Sequence, residues 1–279
     1  MTEEHTLRER YNPEGSKLRQ NQKELLEMLI DLAAICKEHN IKWWLSSGTL
    51  LGAARHEGFI PWDDDIDITL LRRDFKRLQR ILLKLNSDKY IYHSIHTDAE
   101  YTNFYGKFRK REGISLTTAK RHKYLKYRGP FIDIFSIERT SYFAARASKV
   151  IYKALQHPTV YIKTGWLRRL MIRLVEFLML FIINPVLRIV GLINPRKEYH
   201  YALGMAWPKS RFYIEDILPL TTATFEGETM PVPKDMDAYL SKVYGDWRTM
   251  PTEEAIHRSI HSEEYRKEIF SRQANMAKP

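Results

Sequence analysis

Gly48 to Ile68 reads GTLLGAARHEGFIPWDDDIDI, and this stretch decides the fold. Four carboxylates, Asp63, Asp64, Asp65 and Asp67, fall within five positions and abut Trp62 and the apolar Ile66, Ile68 and Leu70. Like charges this close repel, and burying them costs more still. Such a cluster is stable when it is solvated or when a cation neutralises it, and the apolar neighbours favour the cation. Alternating residues of a strand share a face. A strand over 66–71 therefore projects Asp65 and Asp67 together, with Asp64 on the opposite side. Two same-facing carboxylates suit an oxygen-ligated divalent ion, Mg²⁺ (or Mn²⁺) beside phosphates. Asp133 repeats the theme inside the apolar PFIDIF, Pro130 to Phe135.

Just upstream, Gly48-Thr49 opens a short helix. A glycine lets backbone approach a phosphate, and a helix N-terminus offers free N–H donors. Thr49 adds a hydroxyl contact or caps the helix. Arg55, one short helix later, is a candidate for the phosphate or for the Asp cluster. Lys107 and Arg109, two apart on a strand, can both face a phosphate; the alternative is a solvated strand face. His257 and His261, at i and i+4, share a helix face and are further candidates. The bland reading of Asp63 and Asp64 is an acidic surface loop, with Asp63 kept as a candidate of the site.

Around this block, Ser16 to His39 carries apolar residues at helical spacing, Trp43 to Leu45 reads as a buried strand, and Arg72 to Leu85 as a helix. Strands are expected at Tyr90–Ile95, Asn103–Lys110 and Pro130–Ile137, and a hairpin-like element near Glu226-Gly227. The fold class is α+β: a flexible lead-in over 1–15, a sheet-containing catalytic core over 16–140, and a mainly helical region over 141–279 that completes the same domain.

The 279 residues are 44% hydrophobic and 28% charged, enough for a packed core and against disorder. Net charge is +11, which favours an anionic partner. No nucleic-acid-binding signature accompanies it, so nucleic acid is not an expected partner. The single cysteine, Cys36, excludes a disulfide framework and reads as inert core. The polar start MTEEHTLRERYNPEG is not a signal peptide. From Trp166 to Ile193 the chain is apolar but carries Arg168, Arg169, Arg173, Glu176 and Arg188. Its uncharged run, Phe177 to Leu187, contains Pro185 and falls short of the ~20 residues of a spanning helix. A helical pair covering the sheet is the favoured reading. The other is an interfacial helix whose arginines meet anionic lipid; the expected location is the cytoplasm in either case, and under this second reading peripheral on the inner membrane face.

The Gly48–Ile68 block, PFIDIF, and FEGETMPVPKDMDAYLSKVYGDW at Phe225 to Trp247 together resemble the LicD-type phosphotransferases, a family that includes the fukutin-related proteins. Pro251 and the late histidines extend the resemblance, which covers most of the chain from about residue 20 to 261. Where the family often continues with Pro-Leu-Asp, this chain has Ser136-Ile137-Glu138, leaving the third Asp intact. The resemblance implies a nucleotidyltransferase-like fold with Gly48, Thr49, Asp65, Asp67 and Asp133 at the site. It also implies transfer of phosphocholine or a related phospho-alditol from a CDP-linked donor such as CDP-choline to a glycan hydroxyl, lipid-linked or not. Asp133 is then the candidate to orient or deprotonate that hydroxyl. Two alternatives stand beside it: a nucleotidyltransferase that releases pyrophosphate, and a non-catalytic membrane-surface adaptor.

Overall fold

The computed structural model describes residues 3–115, 124–193, 196–205, 210–260 and 262–276. Two helices lead in, α1 (Glu3–Tyr11) and α2 (Lys17–Glu38), followed by β1 (Trp44–Leu45), α3 (Ser47–His56), β2 (Asp67–Leu71) and α4 (Arg72–Leu83). Then come β3 (Tyr90–His93), β4 (Gly106–Lys110), β5 (Phe131–Arg139), α5 (Tyr142–Gln156), α6 (Gly165–Phe177), a wide π turn (Leu178–Ile183) and α7 (Asn184–Leu192). The chain closes with β6 (Tyr199–Tyr201), α8 (Ile214–Ile217), β7 (Thr221–Phe225), β8 (Glu228–Val232), α9 (Met236–Tyr244), α10 (Glu253–Ser259) and α11 (Glu263–Met276). This is the α+β architecture expected.

One six-stranded sheet runs in the order β1-β2-β5-β4-β3, with β6 added on β5. Only β2 and β5 run parallel, and they set Asp67 beside Asp133. The β4–β5 register sets Lys107 beside Asp133, and the β3–β4 register sets His93 beside Lys107. Residues in register share a face, so Asp67, Asp133, Lys107 and His93 form one polar row across four strands. The alternate residues Ile68, Ile132, Ile134 and Phe108 are fully buried in a core to which α2 and α4 contribute Leu25, Leu32, Phe75 and Leu78. Ser16 caps α2 by accepting from Arg19 N at 3.1 Å, worth about 1 kcal/mol. Cys36 lies in this core, where burial pushes its thiol up to about 12.

Residues 3–11 correct the expectation of a flexible lead-in. They form α1, and Tyr11 is buried edge-on against Trp62 at 5.2 Å. The polar composition hid this because α1 docks through ion pairs. Arg8 reaches Glu226 at 3.4 Å, and Asn12 donates to Gln22 at 2.7 Å. Glu226 is a hub. It also accepts from Arg19 at 2.6 Å and from Phe59 N at 3.1 Å, at the Glu226-Gly227 turn of the β7–β8 hairpin. Both turn residues have positive φ, the requirement of a two-residue hairpin loop.

The apolar segment differs more. α6, the π turn and α7 form one rod, Gly165–Leu192, long and apolar enough by length and composition to cross a membrane. Pro185 does not break it, because the wide turn before α7 absorbs the missing N–H. The rod is not a core helix either. Its most apolar window is only 28% buried. Periodicity marks an apolar face without saying what covers it. Glu138, the residue that departs from the family pattern, ties the rod down: it accepts from Arg188 Nε at 2.7 Å and from Arg72 Nε at 3.0 Å.

Candidate active site

The acidic loop 63–67 is held from α2. Gln22, fully buried, donates to Asp63 O at 2.8 Å, and Asn21 donates to Asp64 O at 3.0 Å. The strand begins at Asp67, and Asp65 sits in the extended lead-in just before it. The carboxylate oxygens of Asp63, Asp64 and Asp65 lie within 4.8 Å of one another. Asp64 therefore does not point away from Asp65 as strand alternation predicted; the loop precedes the regular strand and turns all three acids together.

Asp67, the first residue of β2, is half-buried. Burial raises its carboxyl well above the ordinary value, and the charges of Asp65, Asp133 and Asp63 push it further, while a hydrogen bond from Ser47 works against them. Thr49 is buried and does not face a phosphate. Its Oγ1 accepts the Asp67 N–H at 2.8 Å, fixing the first residue of β2. Gly48 leaves room for the Asp63 side chain: a Cβ there would lie 2.5 Å from Asp63 Oδ2, so the carboxylate would have to swing aside. Ser47, which sequence reasoning missed, has φ +50°, a strained value for a non-glycine residue. Its neighbourhood of two serines and a glycine was the only signal.

Lys107 is 5% exposed and forms a close ion pair with Asp133 through Oδ1. Burial lowers the Lys107 pKa, and Asp133 opposes that shift. Arg109 corrects the sequence expectation. It is fully buried, donates to Gly129 O at 2.6 Å and stacks 4.4 Å from the Phe131 ring, so it lines neither cavity of the site. It shares the face of Lys107 but stands one row further along the strand, under Gly129 and Phe131. His257 also stays out of both cavities and packs edge-on against Phe270 at 4.6 Å. His257 lies on α10, which ends at Ser259. His261 lies outside the described residues.

Two cavities meet at Asp65. The smaller, about 390 Å³, is walled by Tyr101, Tyr105, Phe131 and Tyr152 with Asp64, Lys107 and Asp133. The larger, about 1180 Å³, contains Ser47, Gly48, Asp63 and Asp67 and the cations Arg55, Arg146 and Lys149. Arg55 also donates to Trp247 O and to Thr249 O, the latter at 3.1 Å, which pins the loop after α9 to the cavity wall. Tyr105 and Tyr201 stand near the acids, and burial first, then the carboxylates, raise both phenols; Tyr244, in the larger cavity, is partly exposed and its phenol is also raised. They stay protonated donors at neutral pH. Sequence reasoning picked out none of the three, though Tyr244 lies in the Phe225–Trp247 block.

Crowded, partly buried carboxylates form a hard-oxygen donor set that could hold a divalent cation. Among the described residues the carboxylates close enough to share one ion are Asp63, Asp64 and Asp65, and Asp67 and Asp133 stand beside them in register on β2 and β5.

Asp67 and Asp133 are matched across adjacent parallel strands, and Ser47 at the start of α3 hydrogen-bonds Asp67. Residues 40–170 match the LicD/FKTN/FKRP nucleotidyltransferase domain, and the chain carries a LicD-type domain as its motifs implied. Over 258 residues it is 28% identical to the lipopolysaccharide cholinephosphotransferase LicD of Haemophilus influenzae, covering 85% of this chain and 93% of that protein. Shorter matches reach human ribitol 5-phosphate transferase FKRP, 34% identical over 50 residues (18% of this chain, 10% of that protein). Mouse ribitol-5-phosphate transferase FKTN is 40% identical over 58 residues, 21% of this chain and 12% of that protein.

Proposed function

We propose that this chain is a phosphotransferase that moves phosphocholine, or a closely similar phospho-group, from a CDP-linked donor to a hydroxyl of a cell-surface glycan or its precursor. The observation that carries the reading is Asp65 at the junction of two cavities of different chemistry, next to the matched pair Asp67 and Asp133. The larger cavity, with Arg55, Arg146 and Lys149, takes the anionic nucleotide. The smaller offers aromatic faces beside carboxylates, which suits a quaternary ammonium head group.

Asp65 and Asp67 would hold Mg²⁺ or Mn²⁺, helped by Asp63 and Asp133. A cation bound there would offset the negative charge of the donor diphosphate. Thr49 and Ser47 fix Asp67 in position, and Lys107 holds Asp133. Asp133 orients the acceptor hydroxyl and receives its proton. The hydroxyl oxygen bonds to the distal phosphorus, the bond from that phosphorus to the bridging oxygen breaks, and CMP leaves with that oxygen. Thermal-shift titration with CDP-choline, CDP-ribitol, CDP-glycerol and CTP, each with Mg²⁺, tests the donor. The largest shift is expected with CDP-choline; stabilisation by CTP alone would favour a nucleotidyltransferase.

A further inference from the structure

The rod Gly165–Leu192 breaks the rule that a folded chain hides its apolar surface. Trp166, Leu170, Leu174, Phe177, Phe181 and Ile189 recur along one side and are 48–68% exposed. Soluble proteins rarely expose a contiguous apolar stripe of this length. The opposite side is pinned to the body. Arg168 binds Glu100 at 2.8 Å, Arg173 donates to Ile95 O at 2.6 Å, Asn184 accepts from Ser148 at 2.7 Å, and Arg188 binds Glu138.

Charge identifies what covers the stripe. Residues 139–197 hold eleven Lys and Arg and one acidic residue, Glu176, so ten of the eleven net positive charges of the chain lie in this stretch. Arg146, Lys153, Lys163 and Arg169 are exposed around the stripe, whereas Glu176 is buried. A second copy of the chain would set ten positive charges against ten. An anionic lipid surface takes both the apolar stripe and its basic rim.

We infer that this rod is an interfacial anchor that lies in the plane of an anionic membrane and sets the larger cavity at the lipid surface. It does not span. Crossing would break the four tethers and carry Arg173, Glu176 and Arg188 into hydrocarbon, where charges are costly. The cavity follows the anchor through α5, which packs on both α6 and α7. Arg146, Lys149 and Val150 of α5 line the cavity, and Val150 is itself exposed. Resting on the function proposed above, the acceptor is then a glycan carried on a lipid and presented from the membrane plane.

The test is flotation of the full chain with vesicles of phosphatidylcholine alone or mixed with phosphatidylglycerol, without donor, at low and high salt. Binding is expected only with phosphatidylglycerol, and it should fall as salt rises. Phe177→Ser with Phe181→Ser and Ile189→Ser, all at exposed positions, should weaken binding at least about tenfold and leave the circular dichroism spectrum unchanged. Lipids brominated near the headgroup should quench Trp166 more than lipids brominated at the chain ends. No flotation at low salt, stronger quenching from the bilayer centre, or a dimer in sedimentation that the triple variant abolishes would each overturn the anchor. Donor binding, measured by thermal shift without vesicles, stands apart, so its failure would be distinguishable from failure of the anchor.

Discussion

The polar row on the sheet and the stripe on the α6–α7 rod depart from ordinary burial in opposite directions. In the row, Asp67, Asp133, Lys107 and His93 are charged or titratable groups placed where apolar residues belong. On the rod, apolar side chains stand where charges belong. The row is stabilised within the molecule: Lys107 pairs with Asp133, Thr49 and Ser47 hold Asp67, and Asp98 holds His93 at 2.8 Å. Nothing among the described residues covers the stripe. The first pattern marks a site that handles a charged ligand, the second a surface completed by something outside the chain.

The largest expected effect is at the row. Asp65→Asn and Asp67→Asn should each lower turnover at least ~10²–10³-fold, the usual scale for losing a preorganised charge-stabilising contact. Asp67→Asn should also raise the melting temperature of the metal-free protein. Its folded pKa is raised, so the wild type loses stability as pH climbs above 3.8, and the amide removes that loss. A gain on the order of 1 kcal/mol, or about 2–4 °C, is expected by calorimetry at neutral pH. Wild-type turnover in either variant would break the contrast between a row that works and one that only folds.

Next in size, Lys107→Met strands Asp133 without its buried partner. A stability loss of about 3–5 kcal/mol is expected in urea melts. A neutral result would mean that Asp133 is solvated and the row is not buried.

Glu226→Gln should cost about 1.5–3 kcal/mol at pH 7, because it removes charge-assisted bonds from Arg19 and Arg8. Burial alone would raise this carboxyl; Arg19, the Phe59 N–H and Arg8 outweigh it and hold the carboxyl below 4.5. Its stabilisation is therefore present above pH 4.5 and lost as pH falls through the lower folded value. Wild type and variant should converge in denaturant midpoint below that pH.

Smallest are Thr49→Val and the rod. Thr49→Val should cost about 1 kcal/mol and slow turnover roughly tenfold, with Thr49→Ser restoring both. Phe181→Ser should change stability by no more than ~0.5 kcal/mol, whereas Phe108→Ala in the core should cost about 3–5 kcal/mol. Equal costs at the two phenylalanines would show that the stripe is covered.

Much of the sheet was legible in sequence. Alternation in Ile66–Leu71 and Pro130–Ile137 located two strands and the Asp-Ile patterns grouped their acids, while their parallel pairing was not read from the sequence. The rest was hidden for physical reasons. The burial of Arg109 depends on Gly129 and Phe131, twenty residues further on. The conformation of Ser47 is a backbone strain signalled only by the Ser46-Ser47-Gly48 turn, and the tyrosines converge from three separate segments. α1 docks through ion pairs, which leave no apolar periodicity to read. The rod had the right pattern, but a sequence states which face is apolar and not whether protein covers it.

The central claim is that this chain releases CMP from a CDP-linked donor with a metal held at the row. Product analysis of CDP-choline turnover with a glycan acceptor tests it most directly, run with Mg²⁺, with EDTA, and with Asp67→Asn. CMP should accumulate with Mg²⁺ and be lost in the other two arms. Phosphocholine released in place of CMP, or CMP formed at the same rate in EDTA, would contradict it.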